Sequence, residues 1–208
     1  MAVVEPLAEE DLEPGLRERV QFFRGPLGVV PSSVRTMARI PEIAEAFTAL
    51  NVAVMAPRGA VTPELKRLLG YASSFASGCL YCQAHMILAS ERFGASEERL
   101  AGVWDPEASP HFSEPERAAL AYARAAALQP NAVTEAVAAR LRRHWSDEAI
   151  VEITAVVALF GFLNRWNDSM GSALEDLPRA AGEARLAGRG WRAGKHGGAP
   201  LAEGEAPA

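Results

Sequence analysis

Apolar residues recur along this chain at the three- and four-residue steps of an α-helix, and almost nowhere in the strict alternation of a strand. Leu16, Val20 and Phe23 predict a helix over 14–24, which Gly25-Pro26 should end. A short helix over 32–39 precedes Pro41. Over 42–55, Ile43, Phe47, Leu50 and Val54 fall on one face. Thr62-Pro63-Glu64 supplies a cap, a proline at the first helical position and an acid in the first turn. The helix it opens should run to Ser77 and stop at Gly78. A second begins at Cys79 or Leu80 and ends near Gly94. Ser96 opens a short helix to Val103, and the proline-rich stretch 104–112 reads as a connection.

Ser113 and Glu116 stand at capping-box spacing and open a helix to Leu128. Pro130 ends it, and Thr134 opens the next, which runs to Trp145. Ser146-Asp147-Glu148 caps the longest helix, about 147–170. From Ala149 to Asn164 its only charged residue is Glu152, the pattern of a helix buried nearly all round. After Pro178 the chain turns to Ala, Gly, Pro and Arg. Residues 197–208 read as disordered, with Trp191 and His196 as anchors for 179–196. The sum is an all-α fold: an N-terminal helical arm (1–30), a helical domain (31–178) and a tail (179–208). The stretches 64–88 and 149–173 echo each other weakly, each running from a capped start to a polar signature. The signatures are Cys79-Leu-Tyr-Cys82 and Asn164-Arg-Trp-Asn167.

Composition fits a soluble chain with a real core, at 49% apolar and 23% charged residues. A net charge of −5 disfavours non-specific binding to nucleic acid or to anionic membranes, so neither is expected as a partner. The first residues are acidic and lack a hydrophobic signal core. The longest uncharged apolar run, Ile153 to Leu163, falls short of the ~20 residues that span a bilayer. The expected location is cytoplasmic, where thiols are kept reduced.

The chemistry concentrates in Ser77-Gly78-Cys79-Leu80-Tyr81-Cys82-Gln83-Ala84-His85, which holds both cysteines of the 208 residues. Two thiols one turn apart can form a disulfide with each other, and a histidine one turn on can move a proton. That reads as a redox-active dithiol with a built-in base. Two cysteines in a chain this long do not make a disulfide scaffold. Structural zinc wants four ligands, and the next histidine, His111, lies in a proline-rich connection, so no metal or cofactor is expected. The helix terminus favours Cys79 as the first thiol to react, and proximity to His85 favours Cys82. A sulfenic acid on one cysteine can be captured by the other. Among carboxylates that could stand behind His85, Glu64 sits at an exposed helix start. Glu152 is the stronger candidate, because a lone carboxylate in an apolar helix needs a partner. Arg67 heads the uncharged stretch Leu68–Gly78, where it is expected to cap a helix face or to pair with Glu64.

At Ser-Gly-Cys-Leu-Tyr-Cys-Gln-Ala-His the chain resembles the alkylhydroperoxidase D-like / carboxymuconolactone decarboxylase superfamily. Glu64-Leu-Lys-Arg-Leu, Ser146-Asp-Glu-Ala-Ile-Val-Glu-Ile, Gly161-Phe-Leu-Asn-Arg-Trp-Asn-Asp168 and Gly190-Trp191 with Gly194-Lys-His196 extend the likeness over most of 30–196. The resemblance implies an all-α fold, assembly into homotrimers or homohexamers, and reduction of hydroperoxides through the cysteine pair by a peroxidase of peroxiredoxin type. It makes Cys82 the attacking thiol, Cys79 the resolving one and His85 the proton relay. A dithiol reductant, of lipoyl or thioredoxin type, would close the cycle. The peroxidase pattern differs in two places: it has a glutamate where this chain has Arg67, and its histidine stands one position later than His85. Glu152 then serves as the replacement carboxylate. The alternative is a decarboxylase-like protein whose dithiol senses redox state or is structural.

Overall fold

The computed structural model describes residues 2–197. Eleven α-helices lie among them, and no strand does: α1 Pro14–Val20, α2 Arg24–Leu27, α3 Ser32–Met37, α4 Pro41–Met55, α5 Pro63–Ala76, α6 Leu80–Arg92, α7 Glu97–Gly102, α8 Glu114–Ala127, α9 Glu135–His144, α10 Asp147–Met170 and α11 Asp176–Leu186. The starts follow from the capping residues. Thr62 Oγ1 accepts the Leu65 N–H at 3.1 Å, and Ser146 Oγ accepts that of Ala149 at 3.3 Å. The Ser113 N–H donates to Glu116 at 2.8 Å, which makes the capping box.

Helix α5 is the hub. It packs on α6, α8 and α10, while α10 also reaches α4 and α6, and α11 lies along α6. By length and composition α10 could cross a membrane; here one face, including Ile153, Val156 and Phe160, is buried in the core, while Val151 and Phe162 are exposed, so the helix is not buried nearly all round as its pattern predicted. Gly70 lets α10 come close, since a Cβ there would stand 2.5 Å from the Phe160 ring.

Four further expectations are corrected. Gly25-Pro26 does not break the chain; it lies inside α2, where a proline in the first turn lacks no hydrogen bond, and Gly28, at φ +76°, makes the stop. On α4, Phe47 and Val54 face the core, but Ile43 and Leu50 are exposed. The stretch after Pro178 is not an irregular tail, because α11 runs through it. The boundaries at 31 and 178 do not divide the packing either, since Leu16, Val20, Leu186 and Trp191 all join one continuous core. Trp191 and His196 do anchor the last segment. Trp191 Nε1 donates to the Leu80 carbonyl at 3.1 Å, and His196 is fully buried against Ser172. The disorder expected for 197–208 falls, Gly197 apart, outside the described residues.

Gly70→Ala tests the α5–α10 contact. Alanine gains about 1 kcal/mol over glycine in a helix interior, but overpacking a buried aromatic contact costs about 1–3 kcal/mol. The second effect should win. The melting temperature should then fall by a few degrees, about 2–4 °C per kcal/mol at this size. A rise on thermal denaturation would show that the helices separate freely.

Candidate functional site

Gly78 takes φ +76°, a left-handed conformation that a side chain would strain, and it turns the chain out of α5 directly into α6. Cys79 follows in extended backbone as the N-cap of α6, and its sulfur accepts the Cys82 N–H at 3.4 Å. Both thiols are free and buried, Cys79 at 0% and Cys82 at 2% exposure. The sulfurs thus share one helix start, with Cys79 capping it and Cys82 in its first turn.

Cys82 lines a mostly apolar cavity enclosed by residues including Phe22, Phe47, Phe160 and Leu163. His85, Asn167 and Arg67 line the same cavity; Cys79 does not. Asn167, from α10, donates its amide N–H to the Cys82 sulfur at 3.3 Å. Burial pushes the Cys82 thiol well above its ordinary value, with the neighbouring Cys79 adding to the rise and the Asn167 amide opposing it.

His85 stands beneath the dithiol. Its ring stacks on Tyr81 at 4.2 Å, and its Nδ1 donates to the Tyr81 carbonyl at 3.0 Å. Nε2 lies 2.9 Å from Glu175 Oε2, an ion-pair distance whose alignment falls short of a hydrogen bond. Both ring nitrogens therefore face oxygen atoms, the Tyr81 carbonyl on one side and the Glu175 carboxylate on the other. Glu175 is the N-cap residue of α11. Its other oxygen accepts from the Ser32 N–H, from the Ser32 hydroxyl at 2.7 Å and from the Tyr81 hydroxyl at 3.1 Å. Burial alone would raise this carboxyl. The His85 charge and the Ser32 donors outweigh burial and lower it from 4.5 to about 2.

Cys79, Cys82 and His85 thus meet in one place, and Glu152 does not join them. Its Oε1 lies 2.6 Å from Lys66, whose Nζ also donates to the carbonyls of Val54 and Ala56. The need for a partner was read correctly in Glu152, but that partner is a buried lysine. Glu64 is also away from the dithiol, tied to Arg99 at 2.6 Å. The carboxylate behind His85 is Glu175, which the sequence reading passed over along with the site role of Asn167. Asn167 was visible within Asn164-Arg-Trp-Asn167. Glu175 gave no signal beyond an acid before a helix start.

The model of the carboxymuconolactone decarboxylase family matches residues 41–125. The uncharacterized protein YnjA of Escherichia coli strain K12 is 32% identical over 165 residues, 79% of this chain and 90% of YnjA. The chain belongs to the alkylhydroperoxidase D-like / carboxymuconolactone decarboxylase superfamily. The apo crystal structure of the debrominase Bmp8 superposes with a TM-score of 0.81 at 34% identity, covering 86% of this chain and 95% of that one. A cysteine-to-alanine variant of Bmp8 in complex with 2,3,4-tribromopyrrole gives 0.83 at 33% identity, covering 88% and 97%. The alkylhydroperoxidase AhpD core of an uncharacterized peroxidase-related protein from Ralstonia eutropha JMP134 gives 0.73 at 25%, covering 84% and 93%.

A depressed carboxyl makes stability depend on pH with a fixed sign. Glu175 contributes in full above its ordinary 4.5, and the contribution disappears as pH falls towards about 2. Glu175→Gln should therefore be less stable than wild type at pH 7, by on the order of 2–3 kcal/mol. The gap should narrow as pH drops through that window. Urea denaturation across pH checks this, and a gap independent of pH would contradict it.

Proposed function

We propose that this chain is a dithiol-dependent reductase in which Cys82 attacks a small, largely apolar substrate and Cys79 resolves the oxidised sulfur. The observation that carries this reading is that Cys82 is the thiol lining the cavity, with the Cys79 sulfur behind it on the same helix start. Hydroperoxides are the first substrate class. The Cys82 sulfur bonds to the distal oxygen, the O–O bond breaks, and the leaving alkoxide takes a proton from His85, which the proton released by the Cys82 thiol replaces. The Cys79 sulfur then bonds to Cys82, and the sulfenic oxygen leaves as water. The two thiol protons end in the alcohol and the water. An external dithiol reduces the resulting disulfide.

Glu175 orients His85 and compensates its charge. The Asn167 amide favours the thiolate, whereas burial disfavours it, so Cys82 rests as a thiol that reacts through a minor ionised fraction.

A second reading is favoured by the two Bmp8 structures and the apolar cavity walls. The same dithiol would remove halogen from an aromatic ring, so that the ring gains a proton and halide leaves as the disulfide closes. Both reactions end in the same disulfide, and the organic product separates them.

Single-turnover assays with cumene hydroperoxide and with 2,3,4-tribromopyrrole test the proposal. Cys82→Ser should abolish turnover, and Cys79→Ser should leave a dimedone-reactive sulfenic acid on Cys82 after peroxide. The rate should climb with pH by about tenfold per unit below the thiol's raised value. Wild type that consumes neither substrate faster than free cysteine would overturn the reductase reading. A rate flat from neutral pH upward would overturn the raised-thiol account.

A further inference from the structure

Arg67 is a buried cation for which the protein supplies no anion. The residue is only 4% exposed. Nη1 donates to the carbonyls of Pro63 at 2.9 Å and Met55 at 3.4 Å, and the guanidinium lies 3.7 Å over the Phe93 ring. Nε is buried and has no partner. Among the described residues no carboxylate comes within ion-pair distance. Glu64, one turn away, is held by Arg99, and Glu152 is held by Lys66 next door. Burial lowers Arg67 to about 10, so it stays charged at neutral pH. Removing a guanidinium from water without a counter-charge is costly, and such groups persist where something else supplies the charge.

The place of this cation points to what supplies it. Arg67 lines the cavity onto which Cys82 opens. The remaining wall is apolar or neutral apart from His85, whose own counter-ion is Glu175. In a mostly apolar space a charge pair is stronger than it would be at the surface, and a guanidinium suits an oxyanion.

We propose that Arg67 is the anion-recognition residue of this cavity, so that the molecule brought to Cys82 carries one negative charge on a small apolar body, as a carboxylate does. The assignment rests on the reading of the cavity as the substrate site and ranks acidic substrates above neutral ones of the same size, which still react.

Alkylation of Cys82 by iodoacetate and by neutral iodoacetamide tests it, because both reagents are small and differ chiefly in charge. Fragment mass spectrometry separates Cys82 from Cys79. The ratio of the iodoacetate rate to the iodoacetamide rate should be at least about tenfold higher for native protein than for the same chain in urea. Arg67→Met should bring the ratio down to the unfolded value, and Arg67→Lys should keep part of it, with circular dichroism confirming that each is folded. An arm that needs no variant uses wild type: acetate should slow iodoacetamide and acetamide should not. A native ratio equal to the unfolded one, a preference that survives in folded Arg67→Met, or a Cys82 that neither reagent reaches would overturn the proposal. Lack of peroxide or bromopyrrole turnover strikes the reductase reading instead, so the two failures are distinguishable.

Discussion

A carboxylate cannot be buried in a helical bundle unless the chain brings donors to it, and Glu175 sets that requirement here. Its partners come from three distant places: Ser32 at the start of α3 and Tyr81 in the first turn of α6 as donors, and His85 one turn further on at ion-pair distance. Satisfying them fixes α3, α6 and α11 against one another. It also fixes the dithiol, since Tyr81 lies between the two cysteines and His85 stacks on its ring. The last segment tightens the same end of the helix, with Trp191 on the Leu80 carbonyl and His196 beside Tyr81. Local geometry therefore puts the two sulfurs together, and long-range electrostatics holds the histidine beneath them.

The chemistry follows from a balance in which burial is the larger force. Burial raises the Cys82 thiol, and one amide from Asn167 only partly opposes it. A thiol kept mostly protonated is protected from casual oxidation, and the cavity decides what reaches it. Cys79 differs in position. It caps the helix, is fully buried and does not line the cavity, which suits a sulfur that acts second on its neighbour.

The helices were legible because their ends are written locally. Thr62-Pro63, Ser113 with Glu116, and Ser146-Asp147 each fix a start within four residues. The dithiol and His85 were legible because they lie within two turns. Glu175 was not, since its partners stand 94 and 143 positions away and nothing nearby marks it as buried. Glu152 misled for the same reason. A lone acid in an apolar helix does need a partner, but no pattern along the chain tells whether that partner is His85 or Lys66. Helix α11 was hidden by composition, because Pro178 and the glycines around it look like a tail, yet a proline in a first helical turn breaks nothing.

The central claim is that Glu175, through His85, makes the buried dithiol reactive. Single-turnover oxidation by cumene hydroperoxide, followed as loss of free thiol at pH 7, tests it in folded Glu175→Gln. The substitution keeps the size of the side chain and removes the charge that orients His85. The account predicts oxidation slower by about 10²-fold, the lower end of what a positioned acid or base contributes. Oxidation at the wild-type rate by a folded Glu175→Gln protein would contradict it.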